Sequence, residues 1–102
     1  MKPAGSPDTS PDGPLAVLMW PEEILTLQQA AFRAKRSEKT IRRLCREFGI
    51  GRRSASGGPL QISAPALEMV LSADLQALEL LRDGQRDAPE VMRYLRSLQI
   101  VA

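Results

Sequence analysis

Two helix-start signals stand eleven residues apart, at Thr26 and Ser37, and that spacing constrains the fold of this chain more than any other feature. Thr26-Leu27-Gln28-Gln29 is a capping box, in which the Thr26 hydroxyl and the Gln29 side chain each satisfy the other residue's amide. Leu27, Ala30, Ala31 and Ala34 follow at helical spacing and predict a helix over 27–34. Ser37 suits the cap of a second helix, with Glu38 in the first turn, where negative charge is favoured. Ile41, Leu44, Cys45 and Phe48 then fall at i, i+3, i+4 and i+7, which makes one buried stripe. Gly49 stands where a left-handed residue ends a helix. Lys35, Arg36 and Ser37 are all that separates the two helices.

The flanking segments complete a mainly α chain with a small β-hairpin. Residues 1–14 hold four prolines and two glycines and almost nothing apolar, and Pro21 ends the apolar run from Leu15 to Trp20. Residues 1–21 therefore read as a disordered arm. Ile24 and Leu25 suit a short strand. Beyond Gly49, Gly57-Gly58 marks a turn, and Leu60 and Ile62 alternate with Gln61 and Ser63, which predicts a hairpin with Arg52 and Arg53 on its first arm. Residues 64–102 are helical in pattern. Pro65 suits a first turn, with Leu67, Val70 and Leu71 as a stripe. Ser72 is the candidate cap of the next helix, which turns Leu75, Leu78 and Leu80 or Leu81 inward and closes at Gly84. Asp87-Ala88-Pro89-Glu90 resembles a capping box and starts a last helix with Val91, Tyr94, Leu95 and Leu98 along one side. That stripe packs on the core or, if the earlier elements already close the domain, serves as an oligomer interface. The division expected is an arm over 1–21, a folded domain over 22–84 and a C-terminal helix over 85–102.

Charge gives the functional lead. The chain has 102 residues and a net charge of +2. Residues 33–53 hold nine basic and two acidic side chains, net +7, while the remainder holds five basic and ten acidic, net −5. A concentrated basic segment points to a polyanion, usually nucleic acid. Lys39, Arg42, Arg43 and Arg46 share the outward face of the second helix, with Thr40 at its edge. Like charges at that spacing repel and cost helix stability. A merely solvated face is better served by alternating signs. The arrangement makes sense opposite phosphates and guanine edges.

Other classes are disfavoured. The absence of histidine removes His-based acid–base and nucleophile systems and Cys/His zinc sites. The single cysteine, Cys45, lies on the buried stripe, where packing is a better reading than a reactive thiolate, and it permits no internal disulfide, which suits a reducing cytoplasm. The carboxylates Glu68, Asp74, Glu79, Asp83 and Glu90 fall at helix-surface spacings. No enzyme activity, metal or cofactor is expected, and the six-residue run Leu15–Trp20 is too short for a membrane span.

The helix pair and the segment after it resemble a winged helix-turn-helix of the excisionase/MerR-like type. The residues that carry the resemblance are Leu25–Ala31, Ser37–Leu44 and Gly57–Glu68, and it covers roughly residues 24–72. Lys35 occupies the position of the family's usual turn glycine, so a wider turn or a strained Lys35 is expected. Leu44 replaces a common aromatic, with Phe48 supplying bulk. The stretch from Gly57 to Met69 is also similar to excisionases, or recombination directionality factors, of α-proteobacterial mobile elements. That resemblance implies a non-catalytic cytoplasmic protein that binds repeated sites near an attachment site and bends double-stranded DNA. It also implies that the protein assists a tyrosine recombinase and contacts its own copies head to tail.

On this reading the second helix enters the major groove. Lys39, Arg42 and Arg43 are candidates for base edges, and Ser37, Thr40 and Arg46 for phosphates. Arg52, Arg53 and Ser54 in the wing track an adjacent phosphate or the minor groove, and Thr26 and Gln28 add a backbone contact from the first helix. The acidic C-terminal part pairs with the basic part of the next protomer. Two alternatives stay open: a small transcriptional regulator of the same fold, and an adaptor that binds a recombinase or a phage packaging protein.

Overall fold

The computed structural model describes residues 16–53 and 57–98. The capping box at Thr26 forms: its Oγ1 accepts from the Gln29 amide at 3.0 Å, and Gln29 Oε1 accepts from the Thr26 amide at 2.8 Å. It opens helix α1 (Leu27–Ala34), which follows a two-residue strand, β1 (Ile24–Leu25). Of the two turn geometries expected, the strained one is found. Lys35 takes φ 57° and ψ 43°, a left-handed conformation that usually falls to glycine. Its amide donates to Phe32 O, and the Arg36 amide donates to Ala31 O. Ser37 Oγ accepts from the Thr40 amide at 3.1 Å and starts α2 (Glu38–Phe48), which ends at Gly49 with φ 69°.

Strands β2 (Gly51–Arg52) and β3 (Gln61–Ser63) form the expected hairpin, and β1 joins its other side. The small antiparallel sheet has the order β1-β3-β2, with Leu25 and Gly51 both opposite Ile62. The chain on either side of α1 and α2 is thus tied to one central strand. Ser63 ends β3 and also caps α3 (Ala64–Leu71), accepting from the Ala66 amide at 3.2 Å, with Pro65 in the first turn. Two further helices, α4 (Leu75–Arg82) and α5 (Pro89–Ser97), complete a mainly helical architecture.

Two caps differ from the sequence reading. Ser72 ends α3 instead of starting α4. After Ala73 at φ 57°, Asp74 caps α4 by accepting from the Ala77 amide at 3.2 Å. Asp74 is the stronger acceptor and stands directly before the helix. Asp87 does not cap α5, whose N-cap is Ala88 with no side-chain bond. Pro89 occupies the first turn, and its ring holds Ala88 extended, which fixes the start one residue later than the box pattern implies.

The core joins helices α1 to α5 and the sheet. Ala30, Ile41, Ile50, Ile62, Leu67, Leu78 and Val91 all lie within it. Two of the expected boundaries change accordingly. Val17 and Met19 are buried and belong to the core, while Leu18 and Trp20 point outward, as an extended segment dictates. The Val17 amide also donates to Gly49 O at 3.0 Å. Residues 16–21 are therefore part of the folded unit, and the rest of the expected arm, 1–15, lies outside the described residues. Helix α5 likewise belongs to the same unit. Val91 and Leu95 are buried in the core, so they do not form an oligomer interface. Tyr94 and Leu98 are half-buried, and Tyr94 donates its hydroxyl to Asp74 Oδ2 at 2.9 Å. The face left open by the short helices α3 and α4 is what takes up this stripe. No helix among the described residues is long and apolar enough to cross a membrane.

Candidate nucleic-acid interface

The buried stripe of α2 sets its rotation. With Ile41, Leu44 and Cys45 packed inward, Lys39, Arg42, Arg43 and Arg46 are exposed on the opposite side. Glu38 approaches Arg42 at 3.9 Å and Glu47 approaches Arg43 at 3.3 Å, both one helical turn apart. Exposed pairs of this kind contribute about 0.3–0.5 kcal/mol and yield readily to a stronger anion. Lys39 and Arg46 take part in no ion pair among the described residues. Ser37 has a structural task, since its hydroxyl accepts from the Thr40 amide and donates to Thr40 Oγ1, each at 3.1 Å.

The hairpin carries its arginines in held positions. Arg52 Nε donates to Gln61 Oε1 at 3.1 Å across the β2–β3 pair, and Arg53 Nη1 donates to Gly58 O at 3.2 Å. Ser54 lies outside the described residues. Between α2 and the hairpin runs an open groove walled by Arg42, Arg46, Arg52 and Arg53 and floored by Cys45 and Gly51. A neighbouring groove is lined by Thr26 and Gln28 from the start of α1, Glu38 and Arg42 from α2, and Arg53 from the hairpin. Arg42 belongs to both. So do Arg53 and Leu60 of the hairpin, and the fold thus gathers the start of α1, the basic side of α2 and the hairpin around the Arg42–Arg53 pair. Lys39, Thr40 and Arg43 line a further depression along α2 together with Arg42 and Arg46.

The floor of the first groove is tightly built. A Cβ on Gly51 would meet Cys45 Sγ at 2.6 Å, so the strand approaches the helix only because residue 51 has no side chain. Burial pushes the Cys45 thiol up to about 11, against the opposing pull of Arg46 and Arg53. It is a protonated packing group at neutral pH.

Three successive carbonyls at the exit of α2 are held by three different parts of the chain. Phe48 O accepts from Arg82 Nη2 of α4 at 2.7 Å, Gly49 O from the Val17 amide at 3.0 Å, and Ile50 O from the Ser63 amide at 2.9 Å. Sequence reading missed Arg82 and Gln61, because each acts through a partner set by folding: Phe48 lies 34 residues from Arg82, and Gln61 meets Arg52 through strand register. The carboxylates outside the basic segment have local roles: Glu68 pairs with Arg33 at 2.8 Å, Glu79 pairs with Arg82, and Asp74 is a cap. No cluster of three or more His, Cys, Asp or Glu among the described residues is placed to hold a metal ion. Comparison of the chain with family models, curated proteins and solved structures finds no match.

Proposed function

We propose that the chain is a winged helix-turn-helix protein that binds double-stranded DNA, with α2 as recognition helix and the β2–β3 hairpin as wing. The observation that carries this reading is the position of Arg42 on α2 and Arg53 on the hairpin, both shared by a groove toward the wing and a groove toward the start of α1. Lys39, Arg42 and Arg43 reach base edges in the major groove, with arginine bidentate to guanine as the specific contact. Thr40 and Arg46 meet phosphates, Arg52 and Arg53 meet the backbone or minor groove beside the wing, and Thr26 and Gln28 steady the start of α1 on the backbone. Ser37 contributes by fixing the start of the helix. If about six phosphates are neutralised, log K falls with log salt at a slope of roughly −5.

The role we propose is that of an excision factor, which binds repeated sites, bends the DNA and assists a tyrosine recombinase. The burial of Val91 and Leu95 favours this over a regulator dimerised through its last helix, because that helix keeps no long apolar stripe for a partner. Protomers then meet head to tail, with the exposed Asp83 and Asp87 of one copy near the basic turn of the next, where Lys35 and Arg36 are exposed. Footprinting over the flanks of the encoding element, with the protein titrated at two salt concentrations, tests the reading. Periodic protection spreading from repeats is expected. Protection of one isolated palindrome would instead support the regulator, and no protection anywhere would overturn both.

A further inference from the structure

We infer that Arg82, on α4 and outside both the helix pair and the wing, is a positioning residue for DNA recognition; the inference rests on the DNA-binding reading. The last carbonyls of a helix have no partner within it and normally face water. At the end of α2 the last of them, Phe48 O, is instead held from outside, as are the next two carbonyls of the chain, Gly49 O and Ile50 O. Residues 48–50 form the whole joint between the recognition helix and the first strand of the wing, and Gly49 turns the chain there with φ 69°. Arg46 lies just before this joint and Arg52 just after it, and both wall the same groove. The geometry of the joint therefore sets the separation and relative direction of the two arginines.

Of the three holds on the joint, two are backbone amides, from Val17 and Ser63. The third is the Arg82 guanidinium, which reaches Phe48 O at 2.7 Å while its Nε meets Glu79 at 3.3 Å. The Arg82 side chain is only 14% exposed, so it is committed to this contact and does not present its charge to a duplex. A cation at a helix C-terminus is also favoured by the helix dipole. Base-edge contacts demand a fixed helix direction, whereas phosphate contacts tolerate small tilts because long side chains can follow. Loosening the Arg82 hold should thus cost discrimination between sequences more than it costs binding as such.

The test uses the full chain with Arg82→Met and Arg82→Lys. Affinity is measured for a duplex selected by the wild type and for a random-sequence duplex at three salt concentrations, below the melting temperature of each variant. For Arg82→Met the expected result is a loss of about tenfold or more on the selected duplex and under about twofold on the random one, with the salt slope unchanged. Arg82→Lys, which keeps a donor and the charge, shows the same pattern with a smaller loss, and it carries the test by itself if Arg82→Met does not fold. Equal losses on both duplexes with a shallower slope would make Arg82 a phosphate contact and overturn the inference. So would an unchanged ratio in a wild type that does discriminate. A wild type that binds no duplex overturns the DNA reading itself and this inference with it.

Discussion

Arg86 grips Glu23 with two hydrogen bonds of 2.7 Å, and the Glu23 side chain is completely buried although the two residues lie 63 apart in sequence. The Trp20 ring stacks on the same guanidinium at 4.1 Å, and Glu23 Oε1 also accepts from the Trp20 amide. The segment leading into β1 is thereby locked to the loop between α4 and α5. Removing one partner of a buried pair leaves a charge without compensation, at a cost of about 3–5 kcal/mol. Arg86→Met should lower stability by that order in urea denaturation, and Glu23→Leu with Arg86→Met should recover most of the loss. An Arg86→Met variant as stable as the wild type would contradict this account of the lock.

The contact between Gly51 and Cys45 predicts a non-additive pair. Gly51→Ala places a methyl 2.6 Å from the sulfur and should destabilise by about 1–3 kcal/mol through overpacking. With Cys45→Ala in the same chain most of that cost should vanish, since the sulfur is the nearest obstacle. Thermal melts of the two single variants and the double variant measure the coupling. Strict additivity would mean that the strand does not rest on the sulfur.

Alkaline pH should weaken the fold through the same cysteine. Burial pushes its thiol from 9.0 up to about 11, so the native chain keeps a proton that the unfolded chain loses. The associated stability is fully present below about pH 9 and is lost as pH rises toward 11, with a slope approaching about 1.4 kcal/mol per pH unit. Tyr94, also raised by burial and by its bond to Asp74, adds a loss of the same sign above its ordinary value of 10.0. Urea midpoints at pH 8, 9 and 10 should fall in the wild type and fall less in Cys45→Ala. Identical pH dependence in the two chains would remove Cys45 from the explanation.

Lys35 and Ala73 both sit at φ 57°, where a Cβ is crowded by the backbone. Lys35→Gly and Ala73→Gly should each raise stability by about 0.5–1 kcal/mol, the relief of strain exceeding the extra freedom of glycine in the unfolded chain. Differential scanning calorimetry checks this, and a lower melting temperature in both variants would argue against strain at these turns.

These features also show what could be read from the chain before its fold. Thr26, Ser37 and Gly49 act within one helical turn, so their roles follow from neighbouring residues. The basic face of α2 follows equally well, because Ile41, Leu44 and Cys45 declare which side turns inward. A stripe such as Val91 and Leu95 declares an apolar side but not what covers it, and the covering core comes from elements earlier in the chain. Val17 and Met19 were obscured by the adjoining proline-rich stretch, although their alternation with Leu18 and Trp20 is a strand-like signal. The contacts of Arg82 with Phe48, Arg86 with Glu23 and Arg52 with Gln61 join distant positions and leave no local pattern.

The central claim is that the exposed basic face of α2 binds duplex DNA. It is tested most directly by fluorescence anisotropy on a labelled duplex selected by the wild type, comparing two variants of equal charge. One carries Arg42→Ala with Arg43→Ala. The other carries Arg93→Ala with Arg96→Ala on α5, away from both grooves. The account predicts a loss of roughly a hundredfold in the first. It predicts a change under about threefold in the second, since charges that touch no phosphate act only at long range. Equal losses in the two variants, or no loss in the first, would contradict it.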